Sequence, residues 1–536
     1  MPTITLNRKS IEKLIGKKLS LDKLKNSIEM LGTDLSSITE NEIIVEVFPN
    51  RPDMLSEQGF ARALSSFVGS RKSLKDYKVK DSKQKVIIDS SVNEVRPFTA
   101  CAIVKNLKFD NEKVKEVINI QEKLHITYGR NRKKVAIGVY PFEKIKTPIK
   151  YLAKKPSEIK FQPLESSKEM TAPQILQKYR DYAHLLENQN KFPIFIDANN
   201  KILSMPPIIN SHITGKITEK TKDVFIECSG FDFRVLSKCL NIIVTSLADM
   251  GGEIYSMDLI YKNKKIKSPN LESEKIRLDL NYVNKLLGLF LTEIQIKNLL
   301  EKMNYTYKDK TVYIPCYRTD ILHQIDIVED IAIAYGYKNF KPQIPPIATI
   351  ASQNKEELLH EKILQILIGF NFVQCNTFHI TNKENLCNKM NHNAKFVELK
   401  NALTQEYNIL RSWLLPSLIE VLSKNKHNEY PQKIFEIAKV FTQDLEEPFK
   451  LSALICSKET DFTEIKQILD SLLLLLDIQY KIEPIEHSSF ILGRVGKIIS
   501  NNKEIGFIGE IYPSVISSWD LKMPIVAFEI DLTKDF

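Results

Sequence analysis

The chain has 536 residues, 43% hydrophobic and 26% charged, with Lys plus Arg at 76 against Asp plus Glu at 66, a net charge of +10. That length is too great for one compact core and implies several domains, while the composition excludes wholesale disorder. The positive excess suits a polyanionic partner such as RNA, and equally a generally basic proteome.

Along the chain, the start MPTITLNRKS lacks an apolar signal core. No later apolar run approaches the ~18 residues of a membrane span, which reads as a soluble cytoplasmic protein. The stretch 6–32 pairs residue for residue, without gaps, with 278–304. Leu6 meets Leu278, Ile11 meets Val283, Gly16 meets Gly288, Ser20 meets Thr292 and Leu31 meets Met303. Each copy predicts a short helix, a glycine turn and a longer helix, with Ser20 and Thr292 as N-caps and Gln295 completing a capping box. The correspondence resumes further on, where Arg51-Pro52-Asp53 matches Arg318-Thr319-Asp320 and Val68-Gly69 matches Tyr335-Gly336. Each module is therefore expected to run helix, helix, strand, Arg-x-Asp loop, final helix. The spacing is too long for a solenoid and marks two related domains.

Between the modules stand two basic runs, Arg130, Arg132, Lys133, Lys134 and Lys262, Lys264, Lys265, Lys267. They suit tRNA phosphates or plain solvated faces, and the second is placed in a linker. Cysteines at 101, 228, 239, 316, 375, 387 and 456 show no CxxC spacing, which points to reduced thiols rather than a zinc site. The second module differs from the first at its final helix. Asp326, Glu329 and Asp330 stand at i, i+3 and i+4, with Asp320 in the loop before them, where the first copy has Gly59, Arg62, Ala63 and Asp53. Four carboxylates on one patch call for a hard cation such as Mg²⁺ or a basic partner surface, or form an exposed acidic face eased by the helix dipole. The helix pair also resembles a helix-turn-helix reader of DNA, but the recognition helices carry Asp22 and Glu29, and Glu293 and Glu301. No GxxxxGK[ST] or GxGxxG loop for nucleotide phosphates occurs, and His125-Ile126-Thr127-Tyr128-Gly129 is not a class I synthetase signature.

The stretch 312–337, VYIPCYRTDILHQIDIVEDIAIAYGY, resembles the B5 domain of phenylalanyl-tRNA synthetase β subunits of the shorter archaeal and eukaryotic type. VFPNRPDMLSEQGFARAL (47–64) is similar to the family's B1 domain, and GRNRKKVAIGVYPFEKIK (129–146) with LSMPPIINS (203–211) to its B3/B4 region. LRSWLLPSLIEVL (410–422) and KIFEIAKVF (433–441) resemble its C-terminal synthetase-like domain. The resemblance implies an α+β multidomain fold: a B1-like domain over 1–84, a mixed α/β editing domain over 85–268, and a B5-like domain over 269–345. A class II synthetase-like antiparallel sheet with flanking helices is expected over 346–536. Residues 70–90 leave no room for the OB-fold inserted in the longer bacterial form, and the chain ends at Phe536 without that form's C-terminal RNA-binding domain.

The resemblance further implies an α2β2 complex in which a separate α subunit uses ATP to attach phenylalanine to tRNA. The motif-2-like strand Ile434-Phe435-Glu436-Ile437 lacks the arginine that a class II enzyme sets on the α-phosphate, so this C-terminal domain reads as catalytically silent. Mg²⁺ falls by resemblance to Asp320, Asp326, Glu329 and Asp330. An apolar pocket rejects an added hydroxyl only about a hundredfold, so such enzymes gain from hydrolysing tyrosine misattached to tRNA. For that pocket the resemblance offers Leu203, Asn210, Ser211 and Asp232, and assigns Leu203 to the wall, Ser211 to substrate contact, and Asp232 to the tyrosine hydroxyl. Read from the residues alone, Pro206-Pro207 shapes a turn, Asn210 and Ser211 cap the segment after it, and Asp232 holds its own loop. The alternatives are a nucleic-acid-binding or regulatory protein built from synthetase domains and, disfavoured by the missing arginines, a free-standing class II ligase.

Overall fold

The computed structural model describes residues 2–71 and 74–533. The chain divides between Ile344 and Pro345 into two compact units.

In the first unit the two modules have one topology. The helices Arg8–Ile15 and Leu21–Met30 of the first correspond to Leu280–Leu287 and Glu293–Lys302 of the second. The final helices are Glu57–Phe67 and Gln324–Tyr335. Gly16 and Gly288 close the short helices at φ 72° and 63°, the left-handed conformation that glycine adopts without a Cβ penalty. Each module has three strands rather than the single one expected, in matching spatial order. Thr3–Asn7 pairs Glu42–Glu46, which pairs Asp34–Ile38; Glu274–Arg277 pairs Thr311–Ile314, which pairs Thr306–Lys308. These strands have at most five residues, too short for a period-two pattern to stand out. The capping box forms, with Thr292 Oγ1 accepting from Gln295 N at 3.4 Å and Gln295 Oε1 accepting from Thr292 N at 2.8 Å. Ser20 holds the equivalent position but makes no cap bond.

The modules meet about a local pseudo-twofold. Ser66 Oγ donates to Asn304 Oδ1 at 2.9 Å, and a Cβ on Gly32 would lie 3.5 Å from Ile333. The repeat maps Ser66 onto Ile333 and Gly32 onto Asn304, so the two contacts are mates. Arg51 and Arg318 both face a water-sized void of about 10 Å³ at this junction.

Between the modules lies a ten-stranded mixed sheet. Its path runs through Ile209–Asn210, Ile202–Met205, Phe192–Ile196, Ile149–Lys154, Val79–Ile88, Glu253–Ile260, Phe98–Lys105, Val224–Gly230 and Val135–Pro141. The strand Val79–Ile88 runs through the domain boundary expected at 84/85. The helices Asn111–Ile126 and Phe233–Asp249 pack on one face through Leu124, Leu240 and Val244; Tyr140, Tyr151 and Phe195 fill the other. Lys265–Ser268 pairs with Glu253–Ile260, so the second basic run lies on a hairpin and not in a linker. Its Lys265 and Lys267 pair with Asp258 and Asp81.

The second unit is a seven-stranded sheet, antiparallel but for one parallel pair at the edge formed by Val373–Gln374. Side chains alternate along each strand. Leu451, Ala453 and Ile455 face the helices Lys355–Gly369 and Phe462–Leu475; Leu454 and Cys456 face Leu415–Lys424 and Pro513–Ser518. No helix among the described residues is long and apolar enough to cross a membrane, and all seven cysteines are free.

Candidate functional site

A cavity of about 100 Å³ opens in the central domain between the helix Asn111–Ile126, the strands Val135–Pro141 and Val224–Gly230, and the turn Pro206–Asn210. Glu227 is in its wall, 1% exposed, in a strand whose other members are apolar or small. Tyr140 Oη donates to Glu227 Oε1 at 3.1 Å and lies 3.4 Å from Asn210 Oδ1. Gly138 makes this possible: a Cβ there would fall 2.0 Å from the Tyr140 hydroxyl. Glu227 Oε2 is buried without a partner. Burial pushes the Glu227 carboxyl up to about 8, outweighing the opposing pull of Tyr140, Arg96 and the Ser229 hydroxyl, so it is mainly protonated at neutral pH. With Tyr140 donating to Oε1, the proton is placed on Oε2.

Beside this carboxyl a second network fixes the turn. His125 Nε2 accepts from Ile137 N at 2.8 Å, which puts the ring proton on Nδ1, 3.1 Å from Glu122 Oε1. Burial lowers the His125 pKa and keeps the ring neutral. Both ring nitrogens are engaged, so His125 is a poor general base. The same Glu122 oxygen accepts from Arg132 Nη2 at 3.0 Å, and Arg132 Nη1 donates to Ile208 O at 2.8 Å. Arg132 stacks on Tyr182, 4.0 Å from the ring centroid. The first basic run thus turns one member inward onto protein carbonyls rather than outward to phosphates. A cavity lined by Ile137, Leu164, Pro206, Pro207 and Ile208 on one part and by Gln121, Asn210 and the neutral Glu227 carboxyl on another suits a ligand with a hydroxyl on an apolar body.

Of the four residues expected in this pocket, Asn210 lines the cavity. Leu203 and Ser211 are buried in the layer behind it, joined by Ser211 N donating to Leu203 O at 2.8 Å. Asp232 lies outside. Its carboxylate caps the helix Phe233–Asp249, accepting from Arg234 N at 2.8 Å and Val235 N at 3.3 Å, and it borders another depression with Tyr128 and Leu322. Both amide bonds fall on Oδ1, so the oxygen that caps the helix is distinct from Oδ2, and Asp232 is not among the residues that line the Glu227 cavity. Glu227, Tyr140 and Arg132 escaped assignment to the pocket. The signal for Glu227 was a lone carboxylate inside VFIECSG, an otherwise buried strand.

The acidic quartet divides. Arg318 grips Asp320 with two bonds, Nε to Oδ1 at 2.8 Å and Nη2 to Oδ2 at 2.7 Å, and Nη2 also reaches Asp330 Oδ2 at 2.8 Å. Tyr305 donates to that same Asp330 oxygen. Asp326 Oδ2 accepts from Leu322 N and His323 N, each at 2.8 Å, and Glu329 is exposed. Positions i+3 and i+4 diverge by about 100° around a helix, which turns Asp330 inward and Glu329 outward. Among the described residues no three metal-ligating side chains converge. The donor chemistry is nevertheless that of a hard cation: Arg318 neutralises Asp320 and Asp330 alone, and the bonds named leave Glu329 and the second oxygens of Asp326 and Asp330.

In the second unit Glu436 is 1% exposed and bound by Arg411 Nη1 at 2.9 Å, with Thr377 Oγ1 donating to its other oxygen at 2.7 Å. Arg411, 0% exposed, is the only arginine beside this strand's carboxylate among the described residues, and it serves the core rather than an open face.

Comparison with known proteins agrees with this architecture. Residues 99–243 match the B3/4 domain family, 276–337 the tRNA synthetase B5 domain, and 341–532 the phenylalanyl tRNA synthetase beta chain CLM domain. The chain is 40% identical to the phenylalanine–tRNA ligase beta subunit of Pyrococcus abyssi over 553 residues, covering 99% of both chains. It is 37% identical to that of Archaeoglobus fulgidus, covering 100% of this chain and 99% of the other. The crystal structure of an N-terminal fragment of the phenylalanyl-tRNA synthetase beta subunit from Pyrococcus horikoshii superposes with TM-score 0.60 at 37% identity. That match covers 62% of this chain and 99% of the fragment. Repeated modules, a central domain with its buried carboxyl, and a synthetase-like sheet in this order place the chain in the family of phenylalanine–tRNA ligase β subunits.

Proposed function

We propose that this chain is the tRNA-binding and editing subunit of a cytoplasmic α2β2 phenylalanine–tRNA ligase, with ATP-dependent ligation carried out by the α subunit. The observation that carries the editing role is Glu227: a protonated, buried carboxyl whose Oε2 makes no hydrogen bond of good geometry, with the Ser229 hydroxyl near it, in a cavity shared with Asn210. A tyrosyl group placed in the cavity accepts that proton at its phenol oxygen. Phenylalanine leaves the carboxyl unsatisfied, and this asymmetry is what a proofreading pocket needs. Leu203 and Ser211 act from behind by holding the strand that carries Asn210. With His125 engaged at both nitrogens, the attacking water is oriented by backbone and by the substrate's own ribose.

The quartet Asp320, Asp326, Glu329 and Asp330 is proposed to hold Mg²⁺, which when bound offsets its negative charge. Glu329 and Asp326 meet the ion from the rim, while Arg318 keeps Asp320 and Asp330 in place. Its hard-oxygen donors and excess charge support this assignment.

Co-expression with the α subunit from the same genome tests the reading. The pair is expected to attach phenylalanine to tRNA and to deacylate tyrosyl-tRNA well ahead of phenylalanyl-tRNA; each chain alone does not ligate. Ligation by this chain alone, or no activity from the pair, would sink the assignment.

A further inference from the structure

The strand Val224–Gly230 carries Glu227, and its alternation continues past the cavity. Val224, Ile226 and Cys228 pack toward the helices with Leu240 and Val244, while Phe225 packs on the opposite side with Tyr140 and Phe195. Glu227 and Ser229 share the Phe225 face, as alternate positions of one strand do. Phe231 is the next residue in that series, and four residues of extended chain place it ~13 Å from Glu227. Phe233 and Val235 beyond it pack on the core, but Phe231 is 55% exposed. It precedes the N-cap Asp232, where an aromatic often staples to the residue four into the helix, here Leu236. So open a ring is largely free of that duty.

A lone exposed aromatic is ordinary, and this one is not alone. The guanidinium of Arg96 lies over its ring, 5.4 Å from the centroid. Arg96 is buried and held from two sides. In the strand, Nε donates to Ser229 Oγ at 3.3 Å and Nη2 to Ser229 O at 2.7 Å; in the basic turn, Nη2 reaches Arg132 O at 3.3 Å. That turn lies against the end of the strand, since a Cβ on Gly230 would fall 2.2 Å from Lys134 O. Arg132 points inward, and Arg130, Lys133 and Lys134 are left exposed on the rim. A fixed cation behind an open aromatic ring, with three further cations on the rim, is the build of a nucleobase platform.

We propose that Phe231, backed by Arg96, is the platform on which the terminal base of a charged tRNA stacks while its aminoacyl group enters the Glu227 cavity. The ester joins the amino acid to the terminal ribose, so side chain, ester and base follow one another in that order. The strand supplies the same order: Glu227 for the phenol, Ser229 and Arg96 midway, Phe231 for the base. An extended tyrosyl group and its ribose bridge a gap close to that between Glu227 and Phe231. Arg130, Lys133 and Lys134 meet the phosphates of the preceding nucleotides. Stacking takes no account of the aminoacyl group, so Phe231 sets position and Glu227 sets choice. This rests on the reading of the Glu227 cavity as an editing site.

The test uses the assembled enzyme with tyrosyl-tRNA and phenylalanyl-tRNA. Phe231→Ala is expected to lower kcat/KM for deacylation of both about tenfold, as loss of one base stack does, and to keep their ratio. Glu227→Leu lowers the ratio itself, and Phe231→Trp restores the parental rate. Phe231 is exposed, so melting of its variants is expected to match the parent. In tRNA whose last base is 2-aminopurine, fluorescence is expected to fall on binding the parent, further with Phe231→Trp, and not with Phe231→Ala. Unchanged kcat/KM in Phe231→Ala, in an enzyme whose Glu227→Leu variant has lost selectivity, would overturn the platform and leave the editing reading standing. A loss that Phe231→Trp does not restore, with the fluorescence of all three alike, would assign Phe231 to packing and overturn it as well. A parent enzyme that spares tyrosyl-tRNA would strike the editing reading itself, and the platform with it.

Discussion

Glu227 is the residue on which the proposed proofreading turns, and its environment gives it two separable signatures. The first is chemical. Glu227→Leu removes the hydroxyl partner while filling the space with apolar volume, and should cut tyrosyl-tRNA deacylation by about tenfold to a hundredfold. Glu227→Gln keeps a donor at the same place and should retain much more. Asp232→Ala should leave discrimination between tyrosyl- and phenylalanyl-tRNA nearly intact if Glu227 reads the hydroxyl, because Asp232 does not line the Glu227 cavity and its Oδ1 caps its own helix. Deacylation of both substrates by the three variants decides the matter; equal loss in Glu227→Gln and Glu227→Leu would mean that shape, not the proton, matters.

The second signature is the pH dependence of stability. Glu227 has its folded pKa raised from 4.5 to about 8. Between those values the folded chain keeps a proton that the unfolded chain releases, so stability falls as pH rises through that window and levels off above it. Glu116 lies in the same direction, raised to about 7 by burial, and contributes to the same slope. Urea titrations at pH 5 and pH 8 should therefore show a smaller loss of stability for Glu227→Gln than for the parent. An identical loss would mean that Glu227 is ionised at neutral pH.

At the scale of elements, the repeat holds a controlled comparison of helix caps. Thr292 closes its capping box and Ser20, its mate, does not. Thr292→Ala should thus cost about 1 kcal/mol locally, roughly a fivefold loss of amide protection in the first turn of Glu293–Lys302. Ser20→Ala should leave Leu21–Met30 almost unchanged, which hydrogen exchange can follow in the intact chain. The final helix of the second module carries the metal proposal. Asp326→Asn and Glu329→Gln should each weaken Mg²⁺ binding at least about tenfold, read by calorimetry, if both carboxylates are ligands. Heat of Mg²⁺ binding that both variants preserve would remove the quartet as its site. The same elements show what the sequence made legible. Gly16 and Gly288, the apolar period and the Arg-x-Asp loops were strong because each depends on neighbours a few residues away. The additional strands and the exposure of Phe231 were not, since pairing and burial depend on residues far off in sequence. Nor could spacing alone turn Asp330 inward: that required Arg318 and Tyr305 to be known as its partners.

At the scale of the whole molecule, the family match sets this chain among β subunits, while its second unit has the sheet-and-helix build of a synthetase. If that sheet takes no part in ligation, as proposed, the Arg411–Glu436 pair supplies a physical reason. Arg411 is the largest fully buried side chain among the described residues; its Nη1 binds Glu436 and Thr377, its Nε binds the carbonyl of Lys439 at 3.1 Å, and its Nη2 is buried without a partner. A charge so engaged cannot also reach a phosphate. Arg411→Met leaves the Glu436 carboxylate buried without its counter-ion and should cost about 3–5 kcal/mol. Adding Glu436→Leu removes the stranded charge and should restore most of that loss, since an apolar pair of similar volume often replaces a buried ion pair with little cost. The assembled enzyme then separates structure from chemistry. If the second unit is silent, the double variant should melt near the parent and charge tRNA with phenylalanine at the parental kcat. A well-folded double variant whose kcat fell by about tenfold or more would show that the pair acts in ligation, and the division of labour between the subunits would need to be redrawn.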